Sequence, residues 1–152
     1  MRKFARLAVP AVVGSIAIFA GMTPAHASIS SNCSSGINQC SVGETMGSGY
    51  CDAVIYQTDS SGDEDYTGEF AQAYFTNYDT GYSCHFWVDR DVNNTGWYQI
   101  SPTYAISSSG ASVTSANYWN DGYDGYIAEV CFQFDWGSSL GAVHCSPYVT
   151  YG

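Results

Sequence analysis

Apolar and polar residues alternate along several stretches of the chain, and this alternation constrains the fold more than any other feature. In residues 126–136 almost every second side chain is apolar or aromatic, and residues 83–89 repeat the pattern. The other face of these stretches is mostly polar and includes Asp89 and Glu129. A period of two is typical of strands with one buried face, and apolar residues almost nowhere recur at helical spacing. The sequence therefore predicts an all-β protein.

Five further stretches rich in aromatic and β-branched residues are predicted strands. They are residues 50–58, 69–77, 97–106, 111–117 and 143–151. Turn-forming runs such as Asp79-Thr80-Gly81 and Asn120-Asp121-Gly122 separate the strands. About seven short strands without a helix-length insertion predict a single antiparallel sandwich or barrel over residues 50–152.

Six cysteines predict three disulfides, because an even cysteine count is typical of exported domains. The sequence leaves many connectivities open, and among them we favour Cys33–Cys40, Cys51–Cys84 and Cys131–Cys145. The first pair closes a small loop, and the third spans the turn-like residues 137–141. A zinc site is disfavoured because the chain contains no Cys-x-x-Cys pair.

The N-terminal residues 1–27 have the features of a secretory signal. Basic residues come first, an apolar run follows, and Ala25-His26-Ala27 provides an A-x-A cleavage site. The apolar run is short for a membrane span. We therefore expect a secreted, extracellular protein whose mature chain begins at Ser28. Residues 28–49 are rich in Ser, Gly and Asn and are predicted to be a flexible, loop-rich arm preceding the β-domain.

The charge balance limits the partners of the mature chain. Three of the four basic residues lie in residues 1–27, which leaves Arg90 against 14 acids and a formal net charge of −13. Nucleic acid and anionic membranes are excluded, because both are bound through clusters of Lys and Arg. Such a surface attracts a basic protein or peptide. Solubility is another use of excess carboxylate, and the sequence does not separate the two.

The first candidate binding segment is the acidic loop at residues 59–69. Asp63, Glu64, Asp65 and Glu69 are its candidate contacts to a basic partner. Oxygen-rich loops also bind Ca²⁺, so calcium is an alternative ligand, although the spacing does not match an EF-hand. No other cofactor is expected.

The second candidate segment is residues 117–126, where aromatic residues alternate with amides and acids. Trp119, Asp121, Tyr123 and Asp124 are its candidate partner-binding residues. Aromatic side chains in a turn supply rigid contact area at low entropic cost. Tyr118 and Tyr126 are more typical of residues that pack inward from the flanking strands.

Catalytic motifs are lacking, and we predict no enzymatic activity and no catalytic residue. No serine lies in a G-x-S-x-G motif, and beyond residue 27 the only histidines are His85 and His144. With 14 acids in the chain, the sequence does not exclude a catalytic carboxylate pair of the glycosidase type. Glycosidases, however, usually need a larger frame to enclose a sugar cleft.

The overall format resembles the small secreted adaptor subunit of actinobacterial umbrella toxin particles. The resemblance rests on Ala25-His26-Ala27, the six cysteines, the arm at residues 28–49 and the acids unmatched by bases. It implies a non-enzymatic subunit that links a large repeat-containing toxin polypeptide to a surface-recognising subunit in antibacterial competition.

These features predict a secreted binding or adaptor protein whose acidic, aromatic-rich surface holds a basic protein partner. One alternative is a carbohydrate-binding module with Trp87, Trp97, Trp119 and Tyr123 as its platform. A second is an extracellular protease inhibitor that presents a disulfide-held loop. Loss of binding at high salt would favour the first function, because sugar stacking survives salt.

Overall fold

The computed structural model describes residues 28–34, 39–46, 49–65, 67–78, 81–107, 109–121 and 124–150. Eleven strands lie in this part of the chain: β1 (Ser28–Ser34), β2 (Gln39–Met46), β3 (Gly49–Thr58), β4 (Phe70–Asn77), β5 (Ser83–Val92), β6 (Tyr98–Gln99), β7 (Tyr104–Ile106), β8 (Ala111–Thr114), β9 (Tyr118–Trp119), β10 (Tyr126–Asp135) and β11 (Leu140–Cys145). Within these residues, a search for a helix of sufficient length and hydropathy to cross a membrane finds none.

The strands form two antiparallel sheets packed as a sandwich. The larger sheet has the order β1-β2-β3-β4-β8, and β9 also pairs with β4. The smaller sheet has the order β11-β10-β5-β6, and β7 also pairs with β5. The predicted all-β antiparallel class is therefore confirmed.

The core consists of the inward faces of both sheets. Ile55 and Phe75 from the larger sheet and Phe86 and Phe132 from the smaller one are completely buried. The rings of Phe75 and Phe86 lie 5.2 Å apart between their centroids, and they join the two sheets. Burial of each such side chain contributes about 1.5–3 kcal/mol.

Three disulfides staple the sandwich, with the predicted pairing. Cys33–Cys40 joins β1 to β2, and Cys131–Cys145 joins β10 to β11. Cys51–Cys84 links β3 of the larger sheet to β5 of the smaller sheet. Such bridges are typical of an oxidising compartment.

The prediction of one strand over residues 97–106 is wrong. Two short strands, β6 and β7, lie there instead, and Pro102 falls between them. Proline has no N–H to donate to a ladder. The adjacent Ser101 hydroxyl accepts a hydrogen bond from the Val88 N–H at 2.8 Å and so replaces a strand partner.

Two other serines replace a strand partner in the same way. The Ser115 hydroxyl accepts the N–H of Ala73 at 2.9 Å, and the Ser146 hydroxyl accepts the N–H of Val130 at 3.2 Å. Each of these serines is buried, and each hydroxyl donates to the carbonyl of the next residue. Short strands next to these serines therefore end without leaving buried amides unpaired.

The N-terminal segment differs from the arm predicted at residues 28–49. β1 and β2 lie in this segment, and β2 pairs with β3 from Gln39 to Met46. Cys40 and Val42 point into the core, because they occupy alternate positions on β2. Two apolar positions in a Ser-rich segment are a weak sequence signal, which explains why neither strand was predicted. The predicted signal at residues 1–27 lies outside the described residues.

Candidate functional site

The two acidic segments predicted to bind a partner meet at one end of the sandwich. The Asn120 N–H donates to the Glu69 carbonyl at 2.7 Å. The Asn117 side-chain amide donates to the Asp59 carbonyl, also at 2.7 Å. We call this region the acidic end and define it as residues 59–65, 67–69, 117–121 and 124. The sequence placed these segments about fifty residues apart, and the fold brings them together.

Two buried amide side chains hold the acidic end in place. Gln57 Nε2 donates to the carbonyls of Gly68 at 2.6 Å and Asn120 at 3.1 Å. Asn120 Nδ2 donates to Gln57 Oε1 at 3.2 Å and to the Val149 carbonyl at 3.0 Å. Both side chains are almost completely buried. Sequence reasoning missed them, because nothing in their local pattern distinguishes a buried amide from a surface one.

Gly68 is required where the acidic loop returns to the sheet. A Cβ at this position would lie 1.9 Å from the Thr58 carbonyl oxygen. Since that distance is far inside van der Waals contact, any other residue would push the loop away from β3.

Two carboxylates of the acidic loop stabilise the loop itself. Asp59 Oδ1 accepts the N–H groups of Ser61 at 2.7 Å and Asp63 at 3.1 Å. Asp65 Oδ1 accepts the N–H and the hydroxyl of Thr67, both at 2.9 Å. These hydrogen bonds lower the pKa of Asp65, because they favour its charged form. The predicted contact Asp65 therefore has a local structural partner.

The exposed acids are concentrated at the acidic end. Among the acids whose side chains the structure describes, the most exposed are Asp63, Glu64, Glu69 and Asp124, and all four lie here. Asp121 lies beside them and is half-buried. Trp119 is described below, and Tyr123, which was also predicted to contact the partner, lies outside the described residues.

Trp119 presents an aromatic surface next to these acids. Its side chain is 38% exposed, and its ring packs edge-on against Phe70 at 5.2 Å between centroids. Its carbonyl accepts a hydrogen bond from the Arg90 guanidinium. The structure thus places a partly fixed, partly exposed indole beside the exposed carboxylates.

Arg90 is the only Lys or Arg beyond residue 27, and none of its described contacts is to an exposed acid. Besides the Trp119 carbonyl, its guanidinium lies over the Tyr126 ring, 5.1 Å from the centroid. Nearby, burial and contact with the Tyr104 hydroxyl raise the pKa of Tyr118 to about 12. The described ion pair, His85–Asp135 at 3.3 Å, lies on the smaller sheet.

Within the described part of the acidic end, no three carboxylates lie close enough together to bind a metal ion. In the same residues, one group of that kind is found elsewhere, on the smaller sheet: Asp89, Glu129, Cys131 and Cys145. Its two cysteines are joined in a disulfide. The group therefore offers two carboxylates, fewer than the oxygen ligands that calcium takes.

Asp89 and Glu129 form a second acidic feature that the sequence did not single out. They lie directly opposite each other on β5 and β10, on the outer face of the smaller sheet. Burial and the negative charge of Asp89 raise the pKa of Glu129 to about 7. Burial also raises the pKa of Asp89, opposed by a hydrogen bond from Trp87. The alternation predicted their face, but strand register is needed to pair them.

The opposite end of the sandwich is aromatic. We call it the aromatic end and define it by Tyr50, Tyr78, Tyr82 and Trp136. Tyr50 stacks on Tyr78 at 4.3 Å, and Tyr82 meets Trp136 edge-on at 6.4 Å between centroids. All four rings are exposed by 37–42%.

The three described tryptophans of the predicted sugar platform lie on different elements of the structure. Trp87 lies half-buried on β5, Trp97 lies in the connection between β5 and β6, and Trp119 lies at the acidic end. Their described ring contacts join none of them to another.

Comparison of the chain with protein-family models, curated proteins and solved structures gives no match.

Proposed function

We propose that the protein is an exported, non-enzymatic binding protein that holds a basic protein partner at its acidic end. One observation carries the proposal: the most exposed acids of the described residues lie together there, and within those residues none of them forms an ion pair with a Lys or Arg. The carboxylates of the acidic end repel one another in the free protein. A basic partner that binds there attracts these carboxylates and also reduces the repulsion between them.

Trp119 is the proposed aromatic anchor of this interaction. Its exposed indole is held against Phe70, so its position is largely fixed before a partner arrives. Interfaces are enriched in Trp at the positions that contribute most binding energy, and a fixed side chain loses little entropy on binding. The surrounding carboxylates then supply orientation and a fast association rate.

Export and a place in a toxin particle are part of the same proposal. The signal-like residues 1–27 and the three disulfides support an extracellular location. The resemblance to the umbrella-particle adaptor supports a role in which the acidic end grips a basic face of a larger polypeptide. Such a role needs no catalytic group.

Affinity purification from the native culture supernatant tests the proposal. We expect a larger, basic polypeptide to co-purify at low salt and to dissociate between about 50 mM and 500 mM salt, because screening weakens exposed charge pairs. Recovery of the partner with an affinity that does not change over this range would contradict it.

Charge-neutralising variants locate the surface. The triple variant Asp63→Asn, Glu64→Gln, Glu69→Gln is expected to weaken binding by about tenfold or more. The matched control, Glu44→Gln, Asp52→Asn, Asp135→Asn, removes the same number of carboxylates outside the acidic end and is expected to stay within about twofold. Equal losses in both would show that net charge alone is responsible, and no loss in either would refute the acidic end.

A second candidate function is glycan binding at the aromatic end. It is favoured by the four exposed rings, since aromatic faces stack on sugars. Pull-down on chitin, cellulose and cell-wall glycan at high salt separates it from the first proposal. Retention that is lost in Trp136→Ala, but kept in the acidic-end triple variant, would support it.

A further inference from the structure

Asp89 and Glu129 bring two carboxylates together on the outer face of the smaller sheet. One atom from each of them and from both sulfurs of the Cys131–Cys145 bridge lie within 4.8 Å of one another. Cys131 Sγ is 3.5 Å from Asp89 Oδ2 and 3.8 Å from Glu129 Oε1. A disulfide sulfur has no proton, so it donates a hydrogen bond to neither carboxylate.

The neighbouring strands bring no positive charge to this pair in the described residues. β6 places the uncharged Gln99 opposite Asp89, and β11 contributes Cys145 of the bridge. Further along the same face of the smaller sheet, His85 is paired with Asp135 at 3.3 Å.

The remaining charged groups on these strands are also engaged elsewhere. Asp91 Oδ1 accepts the N–H groups of Thr95 and Gly96 in the turn after β5. Arg90 is bound to the Trp119 carbonyl, and the His144 ring lies against the Phe132 ring. Within the described residues, Asp89 Oδ1 is buried and accepts no hydrogen bond.

Two carboxylates at this separation, partly removed from water, repel strongly when both are ionised. Their protons are then lost in two separate steps that belong to the pair, the second at a much higher pH than the first. We propose that Asp89 and Glu129 hold one proton between them and that its loss near neutral pH weakens the pairing of β5 with β10. The smaller sheet is thereby a pH-sensitive element. The pKa of Glu129, raised to about 7, agrees with this geometry.

The direction of the effect follows from the raised pKa. In the unfolded chain Glu129 has a pKa near 4.5, and in the folded protein the pKa is about 7. The folded state therefore holds the proton over this range while the unfolded state does not. Stability is highest at the acidic side of the window, falls as the pH rises from about 4.5 to about 7, and is lower above it.

The test is chemical unfolding of the intact, disulfide-bonded protein from pH 5 to pH 8. We compare the unfolding equilibrium constant of the wild type with that of Glu129→Gln at each pH, and we expect this ratio to rise about 10- to 100-fold between pH 5 and pH 8. The rise is smaller than the whole pKa shift implies, because the pair is half exposed. Asp52, whose pKa burial also raises, affects both proteins equally, so this ratio isolates the Asp89–Glu129 pair.

Two further variants test whether the effect comes from the Asp89–Glu129 pair. Asp89→Asn is expected to move the transition to lower pH, because it removes the negative charge opposite Glu129. Glu64→Gln, a matched change at an exposed acid, is expected to leave the wild-type profile unchanged. A wild-type to Glu129→Gln ratio that stays constant with pH would overturn the proposal.

Carboxyl NMR of the wild type decides the question even where a variant fails to fold. A Glu129 side-chain carboxyl that titrates near pH 7 supports the shared proton, and one that titrates near 4.5 overturns it. The inference does not depend on the proposed partner, because Glu129 lies outside the acidic end. Failure of either proposal leaves the other standing.

Discussion

The acidic end and the aromatic end of the sandwich are stabilised in different ways. At the acidic end, the buried amides of Gln57 and Asn120 hydrogen-bond to each other and to the backbone of both acidic segments. At the aromatic end, the Cys51–Cys84 bridge joins the two sheets and the exposed rings contact one another. One end depends on buried polar groups and the other on a covalent link and ring contacts.

The difference follows from what the two surfaces carry. Aromatic rings attract one another, so the contact between Tyr50 at the start of β3 and Tyr78 just after β4 stabilises this end of the larger sheet. Carboxylates repel, so loops that carry Asp63 and Glu64 gain nothing from the exposed groups. The acidic loop is stabilised instead by the buried amides and by the carboxylates of Asp59 and Asp65, which accept hydrogen bonds within it. Apart from Asp65, which belongs to both groups, the residues that hold the acidic end are thus distinct from the candidate contacts to a partner.

Removal of the Cys51–Cys84 bridge tests this contrast with the largest expected effect. The double variant Cys51→Ala, Cys84→Ala is expected to lower the free energy of unfolding by about 2–4 kcal/mol, because the bridge limits the unfolded chain. Urea unfolding measures the loss. Salt-dependent partner binding is expected to persist under conditions where the variant is folded. Loss of binding by the folded variant would mean that the two ends are not independent.

Truncation of Asn120 tests the other end. Asn120→Ala is expected to lower the free energy of unfolding by about 2 kcal/mol, because it leaves the Gln57 and Val149 oxygens without their buried donor. Faster amide hydrogen exchange is expected in residues 57–69, with little change near the aromatic end. The matched control is Gln99→Ala, which removes an exposed amide. Similar losses in both variants would argue against a special role for the buried amides.

Asp65 provides the smallest and most local test. Hydrogen bonds from Thr67 hold the pKa of Asp65 below its ordinary value of 3.8, so its stabilising contribution is present above that pH and is lost as the pH falls through the folded-state pKa. Asp65→Asn is therefore expected to lower the melting temperature slightly at pH 7 and not at pH 2. Glu64→Gln, which lacks these contacts, serves as the control. An equal decrease at both pH values would refute a role for the Asp65 charge.

Much of the fold was predictable because burial imposes a period of two on a strand. The buried positions of β5 and β10 follow from alternation, and the pairs Cys33–Cys40 and Cys131–Cys145 follow from the short segments between their cysteines. The remaining pair, Cys51–Cys84, had no such local signal. The break at Pro102 and the strand β2 were not predicted. In the first case a serine hydroxyl replaces the ladder, and in the second only Cys40 and Val42 carry the apolar pattern.

The candidate site was predictable as two segments but not as one surface. Residue types alone indicated the acidic loop and Trp119, whereas their contact depends on the Asn120 N–H reaching the Glu69 carbonyl. The Asp89–Glu129 pair was beyond the sequence for a similar reason. A one-residue change in strand register would place these side chains on opposite faces, and register depends on the whole sheet.

The hydrogen bonds of Ser101, Ser115 and Ser146 also bear on whether strands of different molecules can pair with one another. Two of them lie next to the short outer strands β7 and β8, which have three and four residues. An incoming strand from another molecule finds only a brief run of backbone groups there before the chain turns away. At high protein concentration, these margins of the sandwich therefore offer little template for sheet-to-sheet aggregation.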